Sequence, residues 1–273
     1  CCAPSWLTLS PSRMPEQHFT DPASTARAAL ACLDLTRLND GDTEADIEHL
    51  CERAQGRYGP VAAVCVWPHL ATIARRHLPA TIAVAAVANF PDGSTDLARV
   101  AREIGQIRDA GAQEVDVVLP YATLRAGDEA AAVAVLHEAR RSSRGLRLKV
   151  ILETGELATP ALSARASTLA LDAGADFIKT STGKTPTGAT PEAAMVMLGQ
   201  IAGHPLASHS AGFKASGGVR TVADAAAYLR LVAAALGADA CTAMHFRIGA
   251  SGLLDDIEAV LAGQGGAAGG TGY

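Results

Sequence analysis

Two hydrophobic rhythms alternate along this chain. Short apolar runs, such as 61–66 (VAAVCV) and 81–88 (TIAVAAVA), read as strands buried on both faces. Between them lie longer stretches with apolar residues three and four apart, such as 95–110 and 221–236, which read as helices with one buried stripe. The rhythm predicts strands at 32–38, 61–66, 81–88, 114–119, 147–152, 176–181, 211–216 and 239–243. Helices are predicted at 43–57, 69–78, 95–110, 122–143, 160–173, 190–202, 221–236 and 251–262. One further short helix, from Pro22 to Leu30, precedes the first strand, with Asp21 as its cap and proline at its first position.

Strand and helix alternating through eight units, with no long insertion and no Pro/Ser-rich linker, predict an α/β fold: a single (β/α)8 TIM barrel over residues 21–263. A doubly wound open sheet is the alternative. It is disfavoured because no Gly-x-Gly-x-x-Gly follows the first strand, and because polar residues mark the ends of several strands rather than one switch point. Residues 1–20 are expected to be a poorly ordered extension. Within it, 1–13 read as non-native or as an extended start, since the chain opens on Cys1 and Met14 precedes the first helical pattern. Residues 264–273 read as a flexible Gly-rich tail with Tyr273 at its tip.

Composition sharpens this picture. The length of 273 residues suits one barrel, which typically takes about 250. A 49% hydrophobic content with only 4% aromatic residues points to an Ala/Val/Leu/Ile core rather than an aromatic-rich sandwich. A net charge of −5 leaves no basic stripe for a nucleic acid, although a site can still be locally positive. The six cysteines form no CxxC pair, and no signal peptide or run of about 18 apolar residues is present; reduced thiols, a cytoplasmic location and no membrane partner follow as expectations. The eight histidines are scattered without ligand spacing, so no catalytic metal is expected.

Lysine usage carries the chemistry. Only four of the 23 basic residues are lysines, namely Lys149, Lys179, Lys184 and Lys214, and each stands at or just after a predicted strand. An amine can be made neutral and nucleophilic, whereas a guanidinium cannot. If Lys149, Lys179 and Lys214 face inward on three consecutive strands, desolvation and mutual repulsion lower the pKa of the least stabilised one. Period two sets Asp116 on one strand face with Glu114 and Val118, where its carboxylate could keep one lysine charged and shuttle protons through a water. Lys149 and Glu153 also fit purely structural roles, and Glu153 is left as one. Cys65 reads as a small buried residue near a pocket floor, while Asp34 and Thr36 stand at the rim of the first strand. Arg220 and Arg247 are open between the surface and an anion pocket, with the surface favoured for Arg220. Phosphate binding is the second theme. Thr182-Gly183-Lys184, Ser216-Gly217-Gly218 and Gly249-Ala250-Ser251-Gly252 place backbone N–H groups, hydroxyls and an ammonium on three consecutive loops, where barrels commonly hold phosphate.

The motifs at 34–36 (DLT), 64–68 (VCVWP), 89–91 (NFP), 114–118 (EVDVV), 148–157 (LKVILETGEL), 174–184 (GADFIKTSTGK), 212–214 (GFK), 217–221 (GGVRT) and 247–251 (RIGAS) together resemble the class I deoxyribose-phosphate aldolases. The resemblance implies reversible cleavage of 2-deoxy-D-ribose 5-phosphate to D-glyceraldehyde 3-phosphate and acetaldehyde, in deoxyribonucleoside catabolism. It implies that Lys179 forms the Schiff base, Lys214 tunes its pKa and Asp116 transfers protons, with neither metal nor organic cofactor. It further implies a homodimer, and a terminal tyrosine, here Tyr273, that reaches the site as a proton shuttle. Substrate contacts are expected from Asp34, Thr36, Cys65, Lys149, Thr182, Gly183, Lys184, Gly217, Gly218, Gly249 and Ser251. Four positions depart from the family pattern: Asp92, Ala215 and Ser216 where proline-alanine is usual, and Gly252 where a second serine is common. Another class I sugar-phosphate aldolase or transaldolase, and a non-catalytic sugar-phosphate-binding barrel, are the alternatives.

Overall fold

A computed structural model of the chain describes residues 19–264, so the expectations for residues 1–13 and for Tyr273 lie outside the described residues. Eight parallel strands close into a barrel in sequence order: β1 Leu33–Thr36, β2 Ala63–Val66, β3 Ala83–Ala88, β4 Glu114–Val118, β5 Arg147–Ile151, β6 Phe177–Lys179, β7 Gly212–Ser216 and β8 Phe246–Ala250. Closure is made by β8 on β1, with Leu33 opposite Ile248 and Leu35 opposite Ala250. The helices are α1 Pro22–Ala31, α2 Glu44–Arg53, α3 Ala71–His77, α4 Leu97–Asp109, α5 Tyr121–Arg125, α6 Glu129–Ser142, α7 Pro160–Asp172, α8 Pro191–Gly203, α9 Val222–Leu236 and α10 Leu253–Leu261.

Local chemistry starts most of these helices where the sequence says it should. The side chains of Asp21, Thr43, Thr159, Thr190 and Thr221 each accept the N–H three residues on, which satisfies a donor that the first turn leaves unpaired. Proline stands at the start of α1, α7 and α8, where its missing N–H costs nothing. Strand alternation then builds two interiors. Leu33, Leu35, Val64, Val66, Val115, Val117, Leu148, Val150, Phe213 and Ile248 face the helices and form the main core. Each such fully buried side chain contributes about 1.5–3 kcal/mol. The residues between them, including Asp34, Glu114, Asp116, Lys149, Lys179, Lys214 and Arg247, face the barrel axis and are also buried.

Most elements are a few residues shorter than predicted, and two differ in kind or place. The predicted helix 122–143 is two helices, because Gly127 adopts φ 95° and Asp128 caps α6 by accepting the Ala131 N–H. The eighth strand is 246–250 rather than 239–243. Ala238–Ala240 form a single 3-10 turn, and the carbonyl of Thr242 accepts the N–H groups of His245 and Phe246. The true strand carries Arg247 and Gly249 on its inner face, so its apolar run is interrupted in the sequence.

Candidate active site

Strand register brings the inward-facing charges into one network. Lys179 lies opposite both Ile151 and Lys214 across its neighbouring strands, and Asp116 lies opposite Lys149. The Asp116 carboxylate accepts from Lys149 at 2.8 Å, from Lys179 at 3.0 Å and from Lys214 at 2.8 Å. Asp34 accepts from Lys214 at 2.5 Å and from Arg247 at 2.6 Å. Glu114 lies 2.6 Å from Lys149 and accepts from Arg247 at 2.8 Å. Three buried carboxylates therefore face four buried cations. Three ammonium or guanidinium groups can be matched, and a fourth cannot.

The unmatched group is Lys179, because it shares a single carboxylate and lies beside another ammonium. Burial lowers its pKa and Lys214 lowers it further, against the opposing pull of Asp116. Burial acts the same way on Lys214 and Lys149, but there the carboxylates win: Asp116 and Asp34 hold Lys214 above its ordinary value, and Asp116, Glu114 and Asp34 do so for Lys149. Burial alone would raise Asp116, yet the ammonium groups of Lys149, Lys214 and Lys179 keep it well below the usual carboxylate range. The result is an amine more readily deprotonated than an ordinary lysine, flanked by a carboxylate and by an ammonium whose charge is favoured. Such a set can add to a carbonyl and move the protons that addition and dehydration require.

Lys179 is 3% exposed and meets the floor of an open cleft of about 750 Å³. Thr36, Thr182, Gly183, Lys184, Gly217, Gly218, Gly249 and Ser251, all expected among the substrate contacts, line that cleft. Its wall is held by ties between loops. The Thr182 hydroxyl donates to Glu153 at 2.5 Å and in turn accepts the N–H of Lys184, while the Lys184 ammonium reaches across to the Leu38 carbonyl at 2.7 Å. Thr180 and Ser181 both donate to the Ser216 carbonyl, which locks the loop after β6 to the loop after β7. Glu153 has φ 55°, a strained conformation for a side chain of this type, and burial raises its pKa. Unlike α1, α2 or α9, helix α10 has no side-chain cap, so its N–H groups beside Ser251 and Gly252 remain available to an anion.

Other expected residues fall elsewhere. Asp34, Cys65 and Lys149, expected among the substrate contacts, do not line the cleft: each is fully buried in the barrel. Asp34 and Lys149 are counter-charges, and Cys65 belongs to an inner apolar cluster with Leu38, Val87, Phe90, Val118 and Ile151. Arg247 is neither on the surface nor at an anion pocket, being 2% exposed among carboxylates. Arg220 is exposed and stands on the cleft rim. Asn39, His49 and Arg53 were missed; they reach the cleft from the loop after β1 and from α2. Nothing in their local sequence marks them, since only the closed barrel brings the loop after β1 and helix α2 to the cleft.

Gly249 shows how tightly the floor is built. A Cβ there would stand 2.1 Å from the Ser216 Oγ and 3.0 Å from the Lys214 Cε. Gly249→Ala is expected to destabilise the fold by about 1–3 kcal/mol and to lower turnover through displacement of Lys214. Ser216→Ala in the same chain should recover most of the stability, because it removes the nearest atom. Thermal melts and urea titrations of the single and double variants decide this, and additive effects would refute the contact.

Comparison with known proteins gives a consistent result. Residues 28–258 match the DeoC/LacD family of aldolases. A protein of Agrobacterium fabrum called deoxyribose-phosphate aldolase is 44% identical over 255 residues, which cover 92% of this chain and 97% of that one. Among solved structures, a Toxoplasma gondii protein provisionally assigned as a deoxyribose-phosphate aldolase superposes with a TM-score of 0.83, at 23% identity, over 90% of this chain and 97% of its own. The deoxyribose phosphate aldolase of Aeropyrum pernix, described as a tetramer, gives a TM-score of 0.66 at 24% identity, over 88% and 98% of the two chains. These last two likenesses concern the fold.

Proposed function

This chain belongs to the DeoC/LacD family of aldolases, and from that premise we propose that it cleaves 2-deoxy-D-ribose 5-phosphate reversibly through a Schiff base on Lys179. The observation that carries this is the position of Lys179: it is the one buried lysine that reaches the cleft, and it is the cation left over from the buried charge pairs. Its neutral amine adds to the aldehyde carbon of the open-chain sugar, and loss of water leaves an iminium. The 3-hydroxyl then gives up its proton, the bond between carbons 2 and 3 breaks, and glyceraldehyde 3-phosphate leaves. The electron pair stays as an enamine on Lys179. Protonation of the enamine carbon and hydrolysis release acetaldehyde and restore the amine. Asp116, bonded to Lys179 and Lys214, is placed to take up and return these protons through a water. The phosphate lies on Gly183, Lys184, Gly217, Gly218 and the open start of α10, which supply N–H groups and an ammonium. No step needs a metal or an organic cofactor.

Borohydride reduction in the presence of acetaldehyde, followed by peptide mapping, tests this assignment. A single adduct on Lys179 is expected; an adduct on Lys149 or Lys214, or none, would sink it. Product analysis with longer sugar phosphates separates this substrate from that of a transaldolase. The family resemblance also supports a homodimer in the cytoplasm; light scattering on the purified protein distinguishes it from a tetramer. Among the described residues no helix is long and apolar enough to cross a membrane.

The Gly252 departure bears on phosphate affinity. Nothing lies within 4 Å of a Cβ at Gly252, and its φ of −99° suits any residue. Gly252→Ser therefore adds a hydroxyl donor at the start of α10 without strain. It is expected to lower KM for the phosphorylated sugar several-fold, equivalent to about 1 kcal/mol, and to leave unphosphorylated deoxyribose unaffected. Equal effects on both substrates would show that the loop does not hold phosphate.

A further inference from the structure

The catalytic proposal uses Lys179, Lys214 and Asp116, but the buried charges continue below them. Arg247 is 2% exposed and Glu114 2% exposed, and the two are joined at 2.8 Å and 3.2 Å. Neither lines the cleft, so neither can touch a substrate there. Arg247 also donates to Asp34 at 2.6 Å and to the Ala243 carbonyl, and its guanidinium stands 5.7 Å from the centre of the Phe177 ring. Glu114 also meets Lys149 at 2.6 Å and Arg147 at 2.9 Å. Each member of the pair thus holds one partner of the upper set: Arg247 holds Asp34, which holds Lys214, and Glu114 holds Lys149, which holds Asp116. A buried ion pair is a poor source of stability, because desolvating both charges offsets their attraction. Its presence calls for another explanation.

We propose that Glu114 and Arg247 are positioning residues for the Schiff-base step: Arg247 holds Asp34 against Lys214 and Glu114 holds Lys149 against Asp116, so that Lys179, which has only a share of Asp116, is the lysine with the least counter-charge. The proposal rests on the assignment of Lys179 as the nucleophile. The groups that act on that amine directly are Asp116 on β4, Lys214 on β7 and Cys65 on β2, with Glu153 just beyond β5; behind them stand Asp34 on β1 and Lys149 on β5, which act on Lys214, and Glu114 on β4 and Arg247 on β8, which act on Lys149. Cys32 lies beside Arg247, and the partly exposed Arg147 closes the far side of Glu114. The inner face of β3 offers only Ala85 and Val87. Removing the Glu114 charge makes the surroundings of Lys179 more positive and drives it further towards the neutral amine. Removing the Arg247 charge does the reverse. Removing both restores the original difference.

The experiment is the pH dependence of kcat/KM, whose acid limb follows deprotonation of the free Lys179 amine. Glu114→Gln is expected to move that limb down by about one pH unit, and Arg247→Met up by a similar amount. The double variant should return it to within a few tenths of its original position. Damage to packing alone moves both single variants the same way, or lowers the rate without moving the limb, and either result overturns the proposal. Should Arg247→Met fail to fold, Arg247→Lys and Glu114→Gln decide: lysine keeps the charge and must leave the limb in place while glutamine moves it down. Borohydride mapping accompanies each variant. An adduct away from Lys179 defeats the aldolase assignment and this proposal with it; an adduct on Lys179 with limbs that do not move oppositely defeats this proposal alone.

Discussion

Lys179→Met is expected to lower turnover by about four to six orders of magnitude and to abolish borohydride trapping, while the folded protein becomes more stable at neutral pH. The first part follows from the loss of the only cleft-facing buried amine among the described residues, since removing a covalent nucleophile leaves little beyond substrate binding. The second follows from linkage. In the folded chain the Lys179 amine has a pKa below its ordinary 10.5, because burial and the neighbouring Lys214 disfavour its charge. Between the folded value and 10.5 the unfolded chain binds the extra proton, so this residue opposes folding there. That cost grows as pH falls from 10.5 towards the folded value and is constant below it. Methionine carries no such cost and fills the space with an unbranched apolar chain. Melts of both proteins at pH 7 and pH 10 are the measurement. The variant should melt higher at pH 7, with the gap narrowing at pH 10. A variant that melts lower at pH 7, or keeps more than a hundredth of the activity, contradicts this account of Lys179.

Asp116→Asn should have the largest effect on stability of any single change in the site. It removes the carboxylate shared by three ammonium groups and puts in its place an amide that cannot match their charge. Leaving buried charge uncompensated costs about 3–5 kcal/mol. Lys149 retains Glu114 and Asp34, and Lys214 retains Asp34, whereas Lys179 loses its ion-pair partner and keeps only the more distant Glu153. The amine of Lys179 is thereby driven further towards its neutral form. Imine formation should survive while proton transfer fails, so turnover drops by about two to four orders of magnitude with borohydride trapping preserved. A pH series adds a second test. Because the Asp116 pKa is lowered, its contribution to stability is fully present above its unfolded value of about 3.9 and is lost as pH falls through the lower folded value. Urea denaturation should therefore find the two proteins far apart at pH 7 and converging only in strong acid. Equal stability at pH 7 would mean that Asp116 is not the shared counter-ion.

Much of this was legible from residue order. Alternation with period two set Asp116 beside Glu114 on one strand face, and the rarity of lysine singled out Lys149, Lys179 and Lys214. The three glycine-rich loops were placed by their position after strands, and all three reach the cleft. What could not be seen was depth. Lys149 and Lys179 look alike in sequence, each inside a short strand. The stagger of the barrel sets Lys149 opposite Asp116 and Phe177, and Lys179 opposite Ile151 and Lys214. The first is thereby sealed among carboxylates and the second opens to the cleft. For the same reason the burial of Asp34 and Cys65 beneath the cleft is invisible in residue order.

Strand β8 marks the boundary between the two kinds of information. Local pattern alone determines that a strand, a turn and a helix close the chain, because each needs only neighbouring residues to satisfy its hydrogen bonds and bury its apolar face. It cannot determine that 246–250 is the strand, because an arginine in an apolar run is costly until something offsets its charge. Asp34, 213 residues away in sequence, and Glu114, 133 residues away, supply that offset across the barrel axis. The buried charge count, and with it which lysine has its pKa lowered, exists only once the barrel has closed.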